Sequence, residues 1–309
     1  MALTSEQCEQ RTILKILAGS HVHGLNVPPV PCKGCAASPI AGQVWIKEHI
    51  DDGMGTQQDC PSCHGTGYSH PGSDRDEEAI VIEPLSEAWS LGKPWEDTVR
   101  ESPELDTKYF SLRKWCRMAA NGNPNFLLML FAPESHVLKC NALGAQLREQ
   151  AGLFVSKQAI RSHLGYMQGQ RARMVNHNKS FGAGGGHGLP RYDLIEQYGY
   201  DTKFAMHLLR LGIQGRELAE DGRITLPVPE QQRNFLLDVR TGKLTLERIL
   251  HEADVLEDGM KLAFNSSPLP DLPDLASISA WMQRVYIRTW SADRQVQDIL
   301  EDAAMGRPC

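Results

Sequence analysis

Two short polar segments of the chain carry the residue types that phosphate-transfer chemistry requires. Gly19 and Ser20 follow the apolar residues 13–17, and a Gly-Ser step lets backbone N–H groups converge on an anion with little steric hindrance. Asp74 and Asp76 lie two residues apart, at the start of a stretch rich in strand-forming residues. If residues 74–83 form a strand, both carboxylates project from one face and can share divalent metal ions. We therefore expect Mg²⁺ or Mn²⁺ at this pair and an in-line attack on a phosphorus atom.

A third carboxylate is needed to complete the shell of a second metal ion. Asp106 is the expected ligand, because it falls in the next predicted strand after Asp74 and Asp76. Glu78 is the rival, since side chains alternate along a strand and only Glu78 of the two neighbouring glutamates shares the face of the aspartates. Without the Gly-Ser step, a solvated loop pair would be the preferred interpretation of the aspartates, and without the aspartates a tight turn would be that of the Gly-Ser step.

The order of these segments, a Gly-Ser step and then Asp-x-Asp leading into a strand, resembles the polymerase-β-like nucleotidyltransferases. Residues 106–115 (DTKYFSLRKW), 121–125 (NGNPN) and 199–210 (GYDTKFAMHLLR) resemble the RNA-repair-pathway, or RlaP-type, branch of that superfamily. The matching segments run from about residue 13 to residue 210, skip residues 26–72, and none is seen beyond residue 210. In one departure, the glutamate that family members commonly carry after the Asn-Pro step is replaced by the apolar residues 126–129, which predict a buried helix.

The resemblance implies an α+β protein with a mixed sheet and an enzyme that moves a nucleoside monophosphate from a nucleoside triphosphate to an acceptor hydroxyl. An RNA or tRNA end is the expected acceptor. Transfer to a protein side chain or a small molecule stays open, and so does a zinc-dependent nucleic-acid-binding protein on a transferase scaffold. Two close carboxylates weigh against the scaffold, because they repel one another unless a cation joins them.

Several basic residues are candidates for nucleotide binding beside Gly19 and Ser20, which would hold the triphosphate. Lys203, His207 and Arg210 are spaced by four and three residues, so a helix presents them on one face. Such a stripe is commonly a solvated face, and the resemblance raises it to a predicted phosphate site. Lys114 is a further candidate for nucleotide binding, because we expect it to lie near the substrate.

Four of the eight cysteines have the spacing of a zinc site. Cys32 and Cys35, then Cys60 and Cys63, form two Cys-x2-Cys pairs with glycine nearby, which predicts one tetrahedral Zn²⁺ in an inserted ribbon. A redox function is the rival, but a single Cys-x-x-Cys that opens a helix would be expected for it. The remaining four are scattered and typical of thiols in a reducing compartment.

Composition narrows the class of protein further. The 309 residues carry a formal charge of −6 and are 41% hydrophobic, which indicates a globular chain with sizeable cores and no bulk coating of nucleic acid. No apolar run of eighteen residues and no secretion signal is present, so we expect a cytoplasmic protein without membrane contact. Residues 156–181 nevertheless form a basic patch, with Tyr166 and Phe181 as stacking candidates for a base.

The predicted organisation is a nucleotidyltransferase core at residues 1–135, interrupted by the ribbon at 26–72, and a helical domain at 136–309. Within the core we expect a helix and strand in residues 5–17 and a helix from 113 to 120, and within the inserted ribbon we expect a strand in 43–50. The predicted later helices cover residues 141–153, 156–174, 192–219, 244–264 and 276–301. The glycine-rich residues 181–188 are interpreted as a linker or lid.

Overall fold

The computed structural model describes residues 3–25, 30–31, 43–46, 56–59, 68–70, 75–89, 91–100, 105–175 and 191–305. The strands are β1 (Thr12–Leu17), β2 (Val30–Pro31), β3 (Gln43–Ile46), β4 (Thr56–Asp59), β5 (Tyr68–His70), β6 (Arg75–Val81), β7 (Asp97–Arg100), β8 (Leu105–Ser111) and β9 (Val137–Cys140). The helices are α1 (Ser5–Arg11), α2 (Gly19–Val22), α3 (Leu85–Ala88), α4 (Leu112–Ala120), α5 (Pro124–Phe131), α6 (Ala142–Glu149), α7 (Lys157–Val175), α8 (Tyr192–Tyr198), α9 (Thr202–Asp221), α10 (Glu230–Arg240), α11 (Leu246–Ser266), α12 (Leu275–Ser291) and α13 (Arg294–Ala304). Short 3-10 turns occupy Glu134–His136 and Ala151–Leu153.

A mixed five-stranded sheet forms the centre of the fold, with the strand order β7, β8, β6, β1, β9. The pair β6 and β8 is parallel, whereas the other neighbouring pairs are antiparallel. In the parallel pair Asp76 lies opposite Asp106, and Glu78 lies opposite Lys108. Residues opposite one another share a face of the sheet, so these four side chains belong to the same side.

The two faces of the sheet carry different cores. Alternation along β6 sends Ile80 into the large apolar cluster that includes α4, α5, α7 and α9. Ala79 and Val81 point the other way, into a small cluster with Cys8, Trp95 and other residues beneath α1. The first face is therefore covered by the helices that follow the sheet, and Asp76 and Glu78 are on that side.

Helix α9 is the central helix of the second half of the chain. It packs against α7, α10 and α11, and thirteen of its residues are buried. The side chain of Asp201 caps its start by accepting hydrogen bonds from the backbone N–H groups of Lys203 (2.9 Å) and Phe204 (3.1 Å). The cap fixes where the first turn begins, and so fixes which residues face the sheet.

Helix α12 is tied to the sheet through a buried carboxylate. The hydroxyl of Tyr286 donates to Glu83 at 2.7 Å, and the indole N–H of Trp290 donates to the Glu83 carbonyl at 2.9 Å. The second carboxylate oxygen of Glu83 accepts from the backbone N–H of Leu112 at 3.2 Å. Burial raises the pKa of Glu83. Three separate segments of the chain therefore meet at one side chain.

The structure confirms the predicted α+β class, with a mixed sheet and many helices. The predicted helix and strand in residues 5–17 are α1 and β1, the strand in 74–83 contains β6, and the apolar residues 126–129 lie in α5, which is largely buried. The predicted helices 192–219 and 276–301 are each two helices, α8 with α9 and α12 with α13. The sequence did not predict β9 or α10. Strand β9 lies after residue 135, and the large apolar cluster extends across that predicted boundary.

Part of the predicted insertion can be described. Strand β2 pairs with β5, and β3 pairs with β4, both antiparallel, and β3 lies within the strand predicted for residues 43–50. The four cysteines of the predicted zinc site, the glycine-rich residues 181–188 and Asp74 lie outside the described residues. Among the helices that can be described, none has both the length and the apolar character needed to cross a membrane.

Candidate active site

A cavity of about 390 Å³ lies between the sheet and the start of α9. Its lining combines acidic residues from the sheet with basic residues from the helices. The lining residues are Ile16, Ala18, Gly19, Ser20, Val22, His23, Leu25, Asp76, Glu78, Lys108, Asn125, Leu128, Arg191, Lys203, Met206, His207, Arg210 and Arg240.

The Gly-Ser step forms the turn at the end of β1 and is fitted directly to β6. The backbone N–H of Ala18 donates to the carbonyl of Asp76 at 2.9 Å. Gly19 has a φ of +58°, and a β-carbon on it would lie 2.1 Å from Oδ2 of Asp76. Glycine is favoured at this position, because a side chain would have to displace the Asp76 carboxylate and because the left-handed backbone disfavours other residues.

The sheet contributes an acidic wall. Asp76 and Glu78 both line the cavity. Burial raises the pKa of Glu78 to about 7, the negative charge of Asp76 acts in the same direction, and Lys108 opposes the shift. Asp106 pairs with Asp76 across β6 and β8, although it is not among the residues that line the cavity. Carboxylate groups thus gather on one face at the end of two adjacent strands.

The intervening residue, Glu77, lies on the reverse face of β6. Its carboxylate is buried and contacts Lys15 Nζ at 2.7 Å and Arg75 Nη2 at 2.9 Å. Lys15 also contacts Glu9 at 2.6 Å. Because side chains alternate along β6, Glu77 is paired with cations on one face of the sheet, whereas Asp76 and Glu78 lie on the other face, at the cavity.

The donor set of the acidic wall suits a hard divalent cation. Asp76, Glu78 and Asp106 supply carboxylate oxygens, the ligands that Mg²⁺ prefers. Burial is the main cause of the raised pKa of Glu78, and the charge of Asp76 adds to it; a bound cation would offset both effects. Within the residues that can be described, no group of three or more His, Cys, Asp or Glu side chains is arranged closely enough to hold a metal ion. Asp74, the other predicted ligand, is outside those residues.

The helices contribute a basic wall opposite the acids. Lys203, His207 and Arg210 all line the cavity, as expected for positions four and three residues apart on α9. Arg191 joins them, and its backbone N–H donates to the capping carboxylate of Asp201 at 3.0 Å. Arg240, from α10, donates to the hydroxyl of Thr202 at 3.0 Å. The residues at and around the start of α9 therefore form a positively charged wall, which faces the sheet across the cavity.

Arg210 is the most deeply buried cation of this wall. Its residue is 8% exposed, and its Nε has no hydrogen-bond partner within the described part of the protein. Burial lowers the pKa of Arg210 to about 10, which leaves the guanidinium charged at neutral pH. A charge in such surroundings is unfavourable unless an anion is present. Arg210 thus makes the inner part of the cavity a site for a negatively charged ligand.

His23 lies beside this cation and is held neutral. Burial is the main reason that its pKa lies well below the usual range, and the charges of Arg210 and His207 add to the effect. Its Nδ1 accepts a hydrogen bond from Nε2 of Gln214 at 3.3 Å. A neutral imidazole adds no further positive charge to the inner end of the cavity.

The structure brings together six of the predicted site residues that it describes. Asp106 lies beside this group, paired with Asp76. Lys114 lies elsewhere: its ammonium contacts the carboxylates of Asp97 and Glu96, and it does not line the cavity. The six residues at the cavity are Gly19, Ser20, Asp76, Lys203, His207 and Arg210.

Several polar residues of the cavity were not in the predicted site, among them Lys108, Asn125, Arg191 and Arg240. Lys108 could have been found, because it is two residues from Asp106 on the same strand face. Asn125 directly follows the Asn-Pro step within the family-like residues 121–125. Arg191 and Arg240 gave no such signal, since only the packing of α8 and α10 against α9 brings them to the cavity.

Comparison with known families assigns the chain to a class. Residues 63–283, well over half of the 309, match the RlaP family, described as "RNA repair pathway DNA polymerase beta family". The chain therefore belongs to this polymerase-β-like family. The match extends beyond residue 210, where no family segment was recognised in the sequence, and it begins after Gly19 and Ser20. The contact between Gly19 and Asp76 connects that turn to the matched region.

Comparisons with solved structures and with curated proteins add no closer assignment. A solved structure, a nucleotidyltransferase-like protein from Exiguobacterium sibiricum, is 14% identical, with a TM-score of 0.26. The alignment covers 69% of this chain and 66% of that one, so slightly less than two thirds of the neighbour's length is spanned. No curated protein matches the sequence.

Proposed function

We propose that this protein is a metal-dependent nucleotidyltransferase that moves a nucleoside monophosphate from a nucleoside triphosphate to an acceptor hydroxyl, with an RNA or tRNA end as the acceptor. The observation that supports it most is the pairing of an acidic wall, Asp76 and Glu78, with the buried cation Arg210 across one cavity. A triphosphate with its metal ions carries both kinds of charge. The family to which the chain belongs supports the same chemistry.

In this proposal the Gly-Ser turn and the basic wall hold the triphosphate. The backbone N–H groups and the Ser20 hydroxyl would donate to phosphate oxygens. Lys203, His207 and Arg210 would neutralise phosphate charge from the opposite side, and Arg210 would donate from a site that excludes water. The work of these residues is to position the reacting phosphate and to stabilise its charge.

Asp74, Asp76 and Asp106 are the proposed ligands of Mg²⁺ or Mn²⁺, and Glu78, which lines the cavity, is the alternative third ligand. When bound, the ions would neutralise charge on the attacking and leaving oxygens. The close fit of Gly19 against the Asp76 carboxylate would hold that ligand in one orientation relative to the phosphate turn.

The experiment is incubation of the purified protein with each labelled nucleoside triphosphate, Mg²⁺ and total RNA, protein or metabolites. Label that enters RNA supports the proposal, whereas label on protein or a metabolite identifies the other acceptor class. Asp74→Ala and Asp76→Ala should abolish transfer while the fold is kept, and Asp258→Ala, at an exposed position on α11, is the matched control. Full activity in either active-site variant would contradict the assignment.

The second candidate function is a zinc-dependent nucleic-acid-binding protein on a transferase scaffold. The cysteine spacing of the insertion is its basis, with Zn²⁺ held by Cys32, Cys35, Cys60 and Cys63. RNA retention without transfer to any acceptor would favour it. The same cysteine usage is the basis for proposing the reducing cytoplasm as the location.

A further inference from the structure

A second concave surface lies on α7, outside the nucleotide cavity. This α7 groove has a volume of about 380 Å³, within the range of roughly 300–1,000 Å³ that small-ligand pockets occupy. Its lining residues are Ser162, Gly165, Tyr166, Gly169, Gln170 and Arg173. The groove falls within the basic patch of residues 156–181, for which the proposed nucleotide cavity gives no role.

The two glycines of the groove are not required by the packing of the protein. A β-carbon on Gly165 or on Gly169 would meet no atom within 4 Å. On α9, by contrast, a β-carbon on Gly212 would lie 2.9 Å from Leu256, and one on Gly215 would lie 2.7 Å from Met260. Glycine inside a helix lowers stability relative to alanine, so Gly165 and Gly169 leave a flat, open surface at a cost to the fold.

A buried polar group of the groove lacks a partner. Gln170 lines the groove and is 4% exposed, and its Oε1 makes no hydrogen bond within the described part of the chain. Buried amide oxygens are normally paired, and an unpaired one is unfavourable. The oxygen itself is covered, so a ligand N–H donor in the groove would pair with it once the amide turns outward, and the exocyclic amino groups of nucleobases are such donors.

The charge of the groove suits a polyanion. No carboxylate is among its lining residues, and Arg173 forms no ion pair with the acidic groups that can be described. Arg171, two residues away, instead contacts Asp254 at 2.6 Å. Arg173 is therefore the arginine at this end of α7 that is available to a phosphate.

The groove adjoins the nucleotide cavity through the turn between α4 and α5. Nδ2 of Asn123 donates to the hydroxyl of Tyr166 at 2.8 Å, and Oδ1 of Asn123 accepts from the backbone N–H of Asn125 at 3.1 Å. Asn125 lines the nucleotide cavity. A ligand in the groove would thus be separated from the cavity by a single hydrogen-bonded turn.

We propose that the α7 groove binds the acceptor, as a single-stranded RNA segment whose base lies on Gly165 and Gly169 and whose phosphate contacts Arg173. The inference rests on the proposed function and names the surface that presents the acceptor hydroxyl to the cavity. The flat glycine surface, the unpaired amide and the lone cation together fit a nucleotide better than they fit an apolar protein segment.

The test compares RNA binding with nucleotide binding in the full chain. The probe is a fluorescently labelled single-stranded RNA about ten nucleotides long, within the site sizes of single-strand binders. The double variant Gly165→Leu with Gly169→Leu should lose at least about tenfold in RNA affinity while keeping its affinity for a labelled nucleoside triphosphate. Gly259→Leu on α11, where a β-carbon makes only ordinary contacts, is the matched control and should bind both ligands normally.

A second variant tests the phosphate contact without filling the groove. Arg173→Gln should reduce the slope of log affinity against log salt by about 0.7, as expected for one lost contact to a single strand. Unchanged RNA affinity in the glycine variant overturns the proposal, even if the variant binds single-stranded DNA or a protein partner more weakly than the wild type does. Loss of RNA binding in a protein that binds no nucleoside triphosphate would support the groove and contradict the proposed function instead.

Discussion

The carboxylate of Asp76 occupies the space that a side chain on Gly19 would need, with Oδ2 2.1 Å from the position of a β-carbon. The two residues are far apart in sequence. Gly19 follows the end of β1, and Asp76 lies near the start of β6. Their contact places the proposed phosphate turn directly against the proposed metal ligand. This contact leads to the first prediction.

Gly19→Ala should reduce transfer by roughly 100-fold, because the methyl group must displace the Asp76 carboxylate by an ångström or more. The change should also destabilise the fold, since alanine is strained at a φ of +58°. Steady-state kinetics and thermal unfolding measure the two effects. Gly152→Ala, where a β-carbon meets open space, is the control. Near-normal activity in Gly19→Ala would contradict the close fit.

Arg210→Met should weaken nucleoside triphosphate binding by roughly 10- to 100-fold, the loss expected for hydrogen bonds to a charged group. The melting temperature should stay the same or rise, because the variant removes a buried charge that lacks a partner within the described residues. Calorimetry and thermal unfolding would test both parts. Arg216→Met, on the exposed side of α9 where Arg216 contacts Glu220, should leave binding unchanged. A strongly destabilised Arg210→Met with normal binding would indicate a purely structural residue.

Lys203→Met and Lys114→Met should separate the two predicted lysines. Lys203 lines the cavity, so its loss should weaken nucleoside triphosphate binding by about tenfold. Lys114 contacts Asp97 and Glu96 away from the cavity, so its loss should leave binding close to normal. Titration with a labelled nucleoside triphosphate distinguishes them. Equal losses in both variants would show that substrate reaches Lys114.

The buried His163 should make the protein less stable in acid. Burial lowers its pKa to about 4, below the value of about 6.5 in the unfolded chain, so the unfolded state binds more protons between these values. Stability from this residue is complete above pH 6.5 and falls as the pH decreases, by about 3 kcal/mol at pH 4.

Chemical denaturation of the wild type and of His163→Leu at several pH values would measure this loss. The variant should show a flatter dependence of the unfolding free energy on pH, while His251→Leu, at an exposed position of α11, should behave like the wild type. Parallel curves for His163→Leu and the wild type would exclude His163 as the cause.

Metal analysis of the purified protein should find about one Zn²⁺ per chain, because the four cysteines match a closed tetrahedral site. Cys60→Ser should lower the zinc content, whereas Cys140→Ser, at an exposed thiol, should not. Chelation should disorder the insertion, which a limited proteolysis pattern would show. A metal-free protein whose insertion resists protease would contradict the zinc assignment.

Local periodicity explains which parts of the site were predictable. The alternation of a strand places Asp76 and Glu78 together, and the helical period places Lys203, His207 and Arg210 together, so short-range rules were enough. Arg240 reaches the cavity only because α10 packs on α9, and no local pattern reveals such a contact. Lys114 lies in a segment that resembles the family, but its side chain contacts Asp97 and does not line the cavity, and no local pattern indicated that contact.

The secondary structure likewise contains elements that local sequence patterns predicted and elements that depend on tertiary packing. Long helical segments such as α7 and α11 were predicted within a few residues of their ends. Strand β9 was missed because its four residues extend the sheet only through pairing with β1, a partner more than a hundred residues earlier. Helix α10 has only eleven residues and packs against α9.

The ion pair between Lys15 and Glu77 has a consequence for the opposite side of the sheet. Because side chains alternate, a slip of β6 by one residue against β1 would exchange its two faces. Glu77 would then turn towards the cavity, Asp76 and Glu78 would turn away from it, and Lys15 would keep only Glu9 as a counter-charge. The ion pair of Lys15 with Glu77 therefore favours the observed register of β6. By doing so on the reverse face of the sheet, it keeps Asp76 and Glu78 on the face that lines the cavity.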